Sequence, residues 1–333
     1  MDLASIKYKL TRDDVMVIID PSLNYSRKYY NSTEDIILSD KDPGVKWNIF
    51  NEILVDNELI LDSYEDKQMR EIYHNCRLVA KSFFEDRHSI SQPYFANAAQ
   101  EVLAAILYQS VWCNIGNNPN ANLTNKKLRE LFNLWNANDF CSFLSTNDEL
   151  TNIIKLISSP ARDFEGNLIV DENQKLIYDS DDSTQCGVFQ EVVIAVNDVI
   201  NNVWVEEGDF SIRKFIRNRG AKTLFLDISP SSNMHRILVN LILQENESLG
   251  ERGEIFIVVP NERLLNSRYF EYLNGITALN VSGSLQFIAG CDTRDSFYFD
   301  KLKDKYFHSI GLPNELPSPP IVREVPDSWY MKG

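Results

Sequence analysis

Unbroken apolar runs that end at a polar residue or a proline are the feature that most restricts the fold of this chain. The run Val15-Met-Val-Ile-Ile19 leads into Asp20-Pro21, and Ile255-Phe-Ile-Val-Val259 leads into Pro260. A strand that is apolar at every position is buried on both faces, and such strands belong to parallel sheets covered by helices. The sequence therefore predicts an α/β fold, with a mostly parallel sheet and helices on both of its faces.

The middle of the chain has a helical pattern. From about residue 58 to 203, apolar residues recur at steps of three and four, and Pro93 suits the first turn of one of the helices. Residues 162–185 interrupt this block with seven carboxylates against two basic residues, and Gly166-Asn167 suits a small hairpin within it. The predicted organisation is a discontinuous α/β domain at 1–57 and 206–310, an all-α insertion at 58–205 with an acidic excursion at 162–185, and a proline-rich extended tail at 311–333.

Charge and composition exclude several classes of protein. The 33 basic and 48 acidic residues give a formal net charge of −15, which repels phosphate, so direct nucleic-acid binding is not expected. No apolar run reaches the roughly 18 residues that span a bilayer, and the N-terminal residues lack the apolar segment of a secretory signal. The five cysteines are scattered and do not pair with the histidines, which predicts a reduced compartment, buried thiols and no metal site.

Several segments occur in an order known from one protein family. Val17-Ile-Ile-Asp20-Pro21 is followed by Asp35-Ile-Ile-Leu38, by Trp47-Asn-Ile-Phe-Asn-Glu-Ile53 and, much later, by Gly208-Asp-Phe-Ser-Ile-Arg213. In this order and spacing the chain resembles the cytoplasmic region of type IV secretion coupling proteins, the TraD/TrwB/TraG family of conjugative DNA-pumping ATPases. The resemblance implies a RecA-like, P-loop NTPase-type motor domain interrupted by an all-α domain that helps to recognise substrate. It also implies a hexameric ring at the inner membrane that uses ATP and magnesium.

The chain departs from the family at the catalytic motifs. The P-loop works because glycine amides cradle the phosphates while a lysine and a Ser/Thr meet the phosphates and magnesium, and this sequence contains no Gly-Lys dipeptide. By spacing, the motif is expected just before residue 1. The Walker B strand should end in Asp-Glu, but Pro260 and Asn261 stand there, or Asn261 and Glu262 after a one-residue slip. Gly290-Cys-Asp292 replaces a Gly-x-Gln sensor. These departures predict lost catalysis.

The candidate site residues each have a functional and a structural interpretation. By resemblance Asp20, Pro260 and Asn261 lie near a nucleotide, although an Asp before a proline is also typical of a turn. Glu262 could activate water, and Asp292 is a second catalytic candidate. A solvated loop residue is the favoured interpretation of Glu262, and a helix cap is that of Asp292. His235 after a serine-rich turn suggests a base beside a nucleophile, and a structural histidine at a helix start is favoured because no Gly-x-Ser-x-Gly elbow is present.

The sequence thus predicts a coupling-protein-like component of a type IV secretion or conjugation system. We expect a pseudo-ATPase scaffold without a cofactor that contacts secretion or relaxosome proteins, or other coupling-protein subunits. Such a protein would be cytoplasmic, held by partners at the cytoplasmic face of the bacterial inner membrane. The alternative is a fragment of an active DNA-translocating ATPase, with ATP and magnesium, whose Walker A motif lies upstream or on another chain. A third interpretation is an α/β scaffold reused for some other ligand.

Overall fold

The computed structural model describes residues 7, 10–41, 44–55, 66–84, 93–115, 123–172, 176–179, 182–249, 253–259 and 285–289. The chain divides into a sheet unit, Met1–Lys46 with Ile212–Gly333, and a helical unit, Trp47–Ser211. The sequence places these boundaries at 57/58 and 205/206. The helical unit is wider because Trp47 pairs with Phe210 in a parallel bridge inside it.

The secondary structure alternates between strands and helices at both ends and is mainly helical in the middle. Two short 3-10 turns, Asp148–Leu150 and Asn202–Val205, join helices of the middle part. In chain order, the other elements are β1 (Val15–Ile19), α1 (Ser26–Tyr29), β2 (Ile36–Ser39), α2 (Ile49–Ile53), α3 (Asp66–Phe84), α4 (Pro93–Trp112), α5 (Asn125–Leu134), α6 (Ala137–Leu144), α7 (Thr151–Ile154), β3 (Ser159–Pro160), β4 (Tyr178–Asp179), α8 (Ser183–Val199), α9 (Ile212–Arg217), β5 (Lys222–Asp227), α10 (Asn233–Leu249), β6 (Ile255–Val259) and β7 (Leu285–Ala289).

The sheet unit contains a five-stranded sheet in the order β2-β5-β1-β6-β7, and every neighbouring pair is parallel. All five residues of the central strand β1 are fully buried, as its unbroken apolar sequence requires. Its register places Val17 beside Leu224 of β5 and Ile257 of β6. The predicted parallel α/β sheet is therefore confirmed.

Helices of the sheet unit pack on this sheet and on each other. Tyr25 and Tyr29, at the two ends of α1, pack against a core cluster that includes Met16 and Phe225. Helices α9 and α10 contact each other. They are joined by buried Glu245, which accepts hydrogen bonds from Arg213 Nε at 2.6 Å and from Arg217 Nε. A carboxylate shared by two arginines fixes the register between these two helices.

Helix α4 is the centre of the helical unit and packs against both α3 and α8. It begins at Pro93, whose fixed φ and missing N–H suit a first helical position. From Val102 to Val111 every residue is buried, so α4 is apolar around most of its circumference, as expected of a helix enclosed by others. None of the described helices is long and apolar enough to cross a membrane.

The burial of the thiols differs in part from the prediction. Cys76 and Cys141 are buried, and burial raises the pKa of the Cys141 thiol to about 12. Cys113 and Cys186 are exposed, because one follows the last turn of α4 and the other lies in the first turn of α8. The prediction that the thiols are buried is therefore wrong for these two cysteines.

One buried asparagine joins three segments of the helical unit. Asn125 accepts a hydrogen bond from the Ile49 backbone N–H at 2.9 Å, and its side-chain amide donates to the carbonyls of Trp47 at 2.7 Å and Trp204 at 2.9 Å. It is almost wholly buried. These segments are far apart in sequence, and the hydrogen bonds of the Asn125 side chain join them where no regular secondary structure does so.

A buried carboxylate lies close to the same place. Glu52, fully buried in α2, accepts hydrogen bonds from Trp47 Nε1 at 2.7 Å and from Ser211 Oγ at 2.8 Å. Together with the bridge between Trp47 and Phe210, these bonds hold the first and last residues of the helical unit side by side. The Trp-x-x-Phe-x-Glu segment of the sequence therefore has a structural role, which is to join the two ends of the helical unit.

The described residues of the acidic excursion are joined by β bridges, so the insertion is not purely helical. We call residues 159–172 and 176–179 the acidic arm. Its three short segments form a closed ring of backbone hydrogen bonds: Ala161 N–H to the Ile177 carbonyl at 2.8 Å, Ile177 N–H to Ile169 at 3.0 Å, and Ile169 N–H to Ala161 at 2.9 Å. The excursion ends earlier than expected, since Asp182 accepts hydrogen bonds from the amides of Thr184 and Gln185 and α8 begins at Ser183. The predicted turn at Gly166-Asn167 is present, because Arg162 and Leu168 pair across it.

Candidate functional site

The carboxyl ends of the sheet strands form the edge at which parallel α/β sheets bind ligands. The register places Ile19 of β1 beside Leu226 of β5, and Ser39 of β2 beside Asp227. The backbone N–H of Asp20 extends this ladder by donating to the Leu226 carbonyl at 2.9 Å. Asp20 therefore directly follows β1, and Ser39 and Asp227 are the last residues of the neighbouring strands β2 and β5.

Both oxygens of the Asp227 carboxylate have protein partners. Ser39 Oγ donates to Oδ2 at 2.7 Å, and Lys41 Nζ lies 2.6 Å from Oδ1. Lys41 also donates to the Pro21 carbonyl at 2.8 Å, and its side chain remains 60% exposed while that of Asp227 is buried. A carboxylate bonded in this way is neutralised within the sheet unit, and Lys41 is the charged group of the pair that faces solvent.

Asp20 is held by the chain that follows it. Its carboxylate accepts hydrogen bonds from the backbone N–H groups of Ser26 at 2.7 Å and Tyr25 at 3.1 Å, at the start of helix α1. Burial raises the pKa of Asp20, and the bonds from Ser26 and Tyr25 offset part of this effect. These contacts support the structural interpretation of Asp20, and its proximity to a nucleotide stays a prediction.

The other predicted site residues lie outside the described residues. They are Pro260, Asn261, Glu262 and Asp292, and the strands that precede them are described as far as Val259 in β6 and Ala289 in β7. Their roles stay predictions.

Sequence reasoning missed Lys41 and Asp227. Asp227 ends an apolar strand just as Asp20 does, which is a signal that could have identified it. Lys41 follows β2 in a polar turn, and nothing in its surroundings in the sequence indicates a partner 186 residues away.

His235 lies at the start of α10, as the structural interpretation expects. Ser232 Oγ accepts a hydrogen bond from the His235 backbone N–H at 3.0 Å and so caps this helix, while Ser231 Oγ lies 2.8 Å from Ser229 Oγ. The imidazole is fully buried, and desolvation lowers the pKa of His235 to about 3. These contacts give no support to a serine nucleophile activated by His235.

A cavity of about 370 Å³ lies within the helical unit. Its lining residues are Asn48, Asn51, Leu123, Thr124, Glu207, Gly208 and Asp209. The carboxylates of Glu207 and Asp209 are exposed there and would repel a phosphate group. In the parts of the chain that the structure describes, no three His, Cys, Asp or Glu side chains are grouped as a metal site requires.

The fold is shared with solved structures of conjugative coupling proteins. The bacterial coupling protein TrwB with sulphate is similar at a TM-score of 0.57 and 17% identity, over 90% of this chain and 62% of that one. TrwB with ADP and Mg²⁺ gives a TM-score of 0.55 at 16% identity, and TrwB with the GTP analogue GDPNP gives 0.57 at 16%; each covers 89% of this chain and 62% of that one. At this identity the likeness establishes the fold, which is RecA-like and interrupted by a helical unit.

This chain spans less than two thirds of the length of the TrwB structures that it matches. Its amino-acid sequence matches no protein-family model and none of the curated proteins. The comparison therefore rests on three-dimensional structure, over nearly the whole of this chain.

Proposed function

We propose that this chain is a coupling-protein-like component of a conjugation or type IV secretion system, and that it acts through protein–protein contacts without turning over ATP. The shared fold supports the first part. The observation that carries the second is the state of Asp227, both of whose oxygens are bonded to Ser39 and Lys41 at the ligand-binding edge of the sheet. A magnesium ion could use Asp227 only by displacing these bonds, and the sequence contains no Gly-Lys segment that could cradle the phosphates.

The partners in this proposal are secretion or relaxosome proteins, or other coupling-protein subunits. A net charge of −15 suits a protein partner better than DNA, because phosphates are repelled. Contacts of this kind would hold the chain at the cytoplasmic face of the inner membrane.

The nucleotide part is tested by titrating the purified protein with fluorescently labelled ATP in the presence of magnesium. We expect a dissociation constant weaker than about 100 μM, a free energy of about −5.5 kcal/mol, because tighter binding needs a phosphate cradle. Lys41→Ala is measured in parallel, with Arg77→Ala as a matched control at an exposed basic residue outside the sheet edge. Tighter binding by the wild type would contradict the scaffold proposal, and its loss in Lys41→Ala alone would place the nucleotide at this edge.

The coupling role is tested separately, by deleting the gene from cells that carry a conjugative element and measuring the transfer frequency. We expect transfer to fall and to be restored equally by the wild type and by Lys41→Ala, since a scaffold does not need the nucleotide edge. Unchanged transfer after deletion would refute the coupling role. Restoration by the wild type but not by a folded Lys41→Ala would show that transfer needs the sheet edge, which would contradict the scaffold part of the proposal and leave the coupling role intact.

An active ATPase fragment is the second candidate, favoured by the nucleotides that the TrwB structures contain. It requires a P-loop that this sequence lacks. Sequencing the DNA upstream of the Met1 codon separates the two candidates: an in-frame Gly-Lys-Thr or Gly-Lys-Ser segment at the correct spacing would replace the scaffold proposal by this one.

A further inference from the structure

The acidic arm carries most of the exposed large apolar side chains in the described part of the chain. Six of eleven such residues lie within it, although it is a short segment. They are Phe164, Leu168, Ile169, Val170, Leu176 and Ile177. Exposed apolar residues scattered singly are ordinary on a protein surface, but a contiguous group indicates a contact with another molecule.

Three of these residues share one face of the arm. Val170 and Leu176 are antiparallel bridge partners, so their side chains lie on the same side, and Leu168, two residues before Val170, lies on that side too. Their exposed fractions are 48% for Val170, 37% for Leu176 and 48% for Leu168. The hydrogen-bond ring through Ala161 fixes the backbone beneath them, so this surface is formed before any partner arrives.

Four carboxylates flank this apolar face in sequence, against one described basic residue, Arg162, which is the bridge partner of Leu168. Asp163 and Glu165 lie in the turn before Leu168, and Asp171 and Glu172 follow Val170 directly. Hydrogen bonds from the side chain and backbone of Asn167 lower the pKa of Asp163, which keeps that residue charged. An apolar surface with an acidic rim attracts lysine and arginine and repels phosphates and other acidic surfaces.

We propose that the acidic arm is a docking surface for a lysine- and arginine-rich segment of a partner protein that carries apolar side chains between its charges. Charge excludes the other occupants. Nucleic acid would place phosphates against the rim, and a second copy of this chain would bring its own net charge of −15 and the same acidic arm. This proposal goes beyond the function proposed above, since it depends neither on the sheet edge nor on a role in secretion.

The test uses the full chain and a fluorescent peptide of about eight residues that alternates lysine with valine, with a glutamate–valine peptide of the same length as its acidic counterpart. Binding is measured by fluorescence anisotropy. Leu168→Thr/Val170→Thr removes the apolar face with side chains that still suit a strand, and Asp171→Asn/Glu172→Gln removes part of the rim. The matched control is Asp148→Asn/Glu149→Gln, which removes two exposed carboxylates elsewhere in the helical unit.

The wild type is expected to bind the basic peptide and not the acidic one. Each arm variant should weaken binding by about five-fold or more, and the control by less than about two-fold. Circular dichroism verifies that every variant is folded. Equal weakening by the control would mean attraction to net charge alone and would overturn the proposal, as would wild-type binding by both arm variants. Self-association of the wild type that Leu168→Thr/Val170→Thr abolishes would identify a second copy as the occupant and would also overturn it.

Discussion

Replacing Asn125 by alanine should destabilise the helical unit strongly, because three hydrogen bonds between distant segments depend on this one side chain. The variant leaves the Ile49 N–H without its acceptor and removes the donor from the Trp47 and Trp204 carbonyls. A buried group that loses its partner costs about 1–3 kcal/mol, and a carbonyl that keeps a second lone pair costs less than an N–H. The expected loss is therefore about 3 kcal/mol, after a gain of about 0.5 kcal/mol from alanine in a helix.

Urea unfolding, monitored by tryptophan fluorescence, measures this loss of stability in the helical unit. Four of the five tryptophans, at positions 47, 112, 135 and 204, belong to the helical unit, so the emission change reports mainly on its unfolding. With an m-value of about 2 kcal/mol/M, the midpoint should fall by about 1.5 M.

Two further variants sharpen the result. Asn125→Asp keeps an acceptor for Ile49 but cannot donate to the carbonyls and buries a charge, so it should unfold at least as readily as Asn125→Ala. Asn152→Ala is the control, because Asn152 is exposed and its only described side-chain bond is from Lys155 at 3.1 Å. It should shift the free energy of unfolding by less than about 0.5 kcal/mol. Should Asn125→Ala behave like this control, the side chain does not join the three segments and the reasoning is refuted.

Substitutions at three buried ionisable residues of the sheet unit give further predictions. Glu245→Gln should lower the free energy of unfolding by about 3 kcal/mol in denaturant, because two arginines lose their anionic partner. Arg77→Ala, which breaks an exposed ion pair, should lower it by less than about 1 kcal/mol. Similar losses in the two variants would contradict the prediction. The His235 pKa of about 3 lies below its ordinary value of 6.5, so the unfolded state binds the proton first and stability should fall as pH drops from 6.5 towards 3. By urea unfolding at pH 7 and pH 5, His235→Leu should lose less stability than the wild type over this interval, and parallel losses would argue against a buried neutral imidazole. Asp20→Asn should leave the free energy of unfolding at pH 7 nearly unchanged, because an amide oxygen can still accept from the helix N–H groups and burial already disfavours the charge. Asp20→Ala should lower it by about 1 kcal/mol in thermal or urea unfolding. Equal losses in the two variants would mean that the Asp20 side chain does not act as a cap.

The parts of the fold that follow from local pattern could be predicted from the sequence. Val15–Ile19 could be assigned to a doubly buried strand because no polar residue interrupts it, and α4 could be assigned from its periodicity and Pro93. The first turn of α8 could not, since the run of acids before it is typical of a loop until Asp182 is seen to cap the helix.

The missed features depend on contacts between segments that are distant in sequence. Lys41 and Asp227 meet because two parallel strands end at the same edge, and the polar turn around Lys41 does not encode that meeting. The ring of the acidic arm closes through backbone atoms alone, so side-chain identity gives little indication of its pairing. Candidate residues beyond β6 and β7 depend on the family resemblance only.

The bridge between Trp47 and Phe210 has a consequence for how this architecture could arise and be altered. The two ends of the helical unit lie beside each other, so the unit is inserted into the chain as a closed loop. The entropy of closing a loop depends only weakly on the number of residues in it. A helical unit with its ends clasped in this way can be lengthened, exchanged or removed with little change at the junction. The helical unit can then vary in length and sequence while the parallel sheet stays as it is.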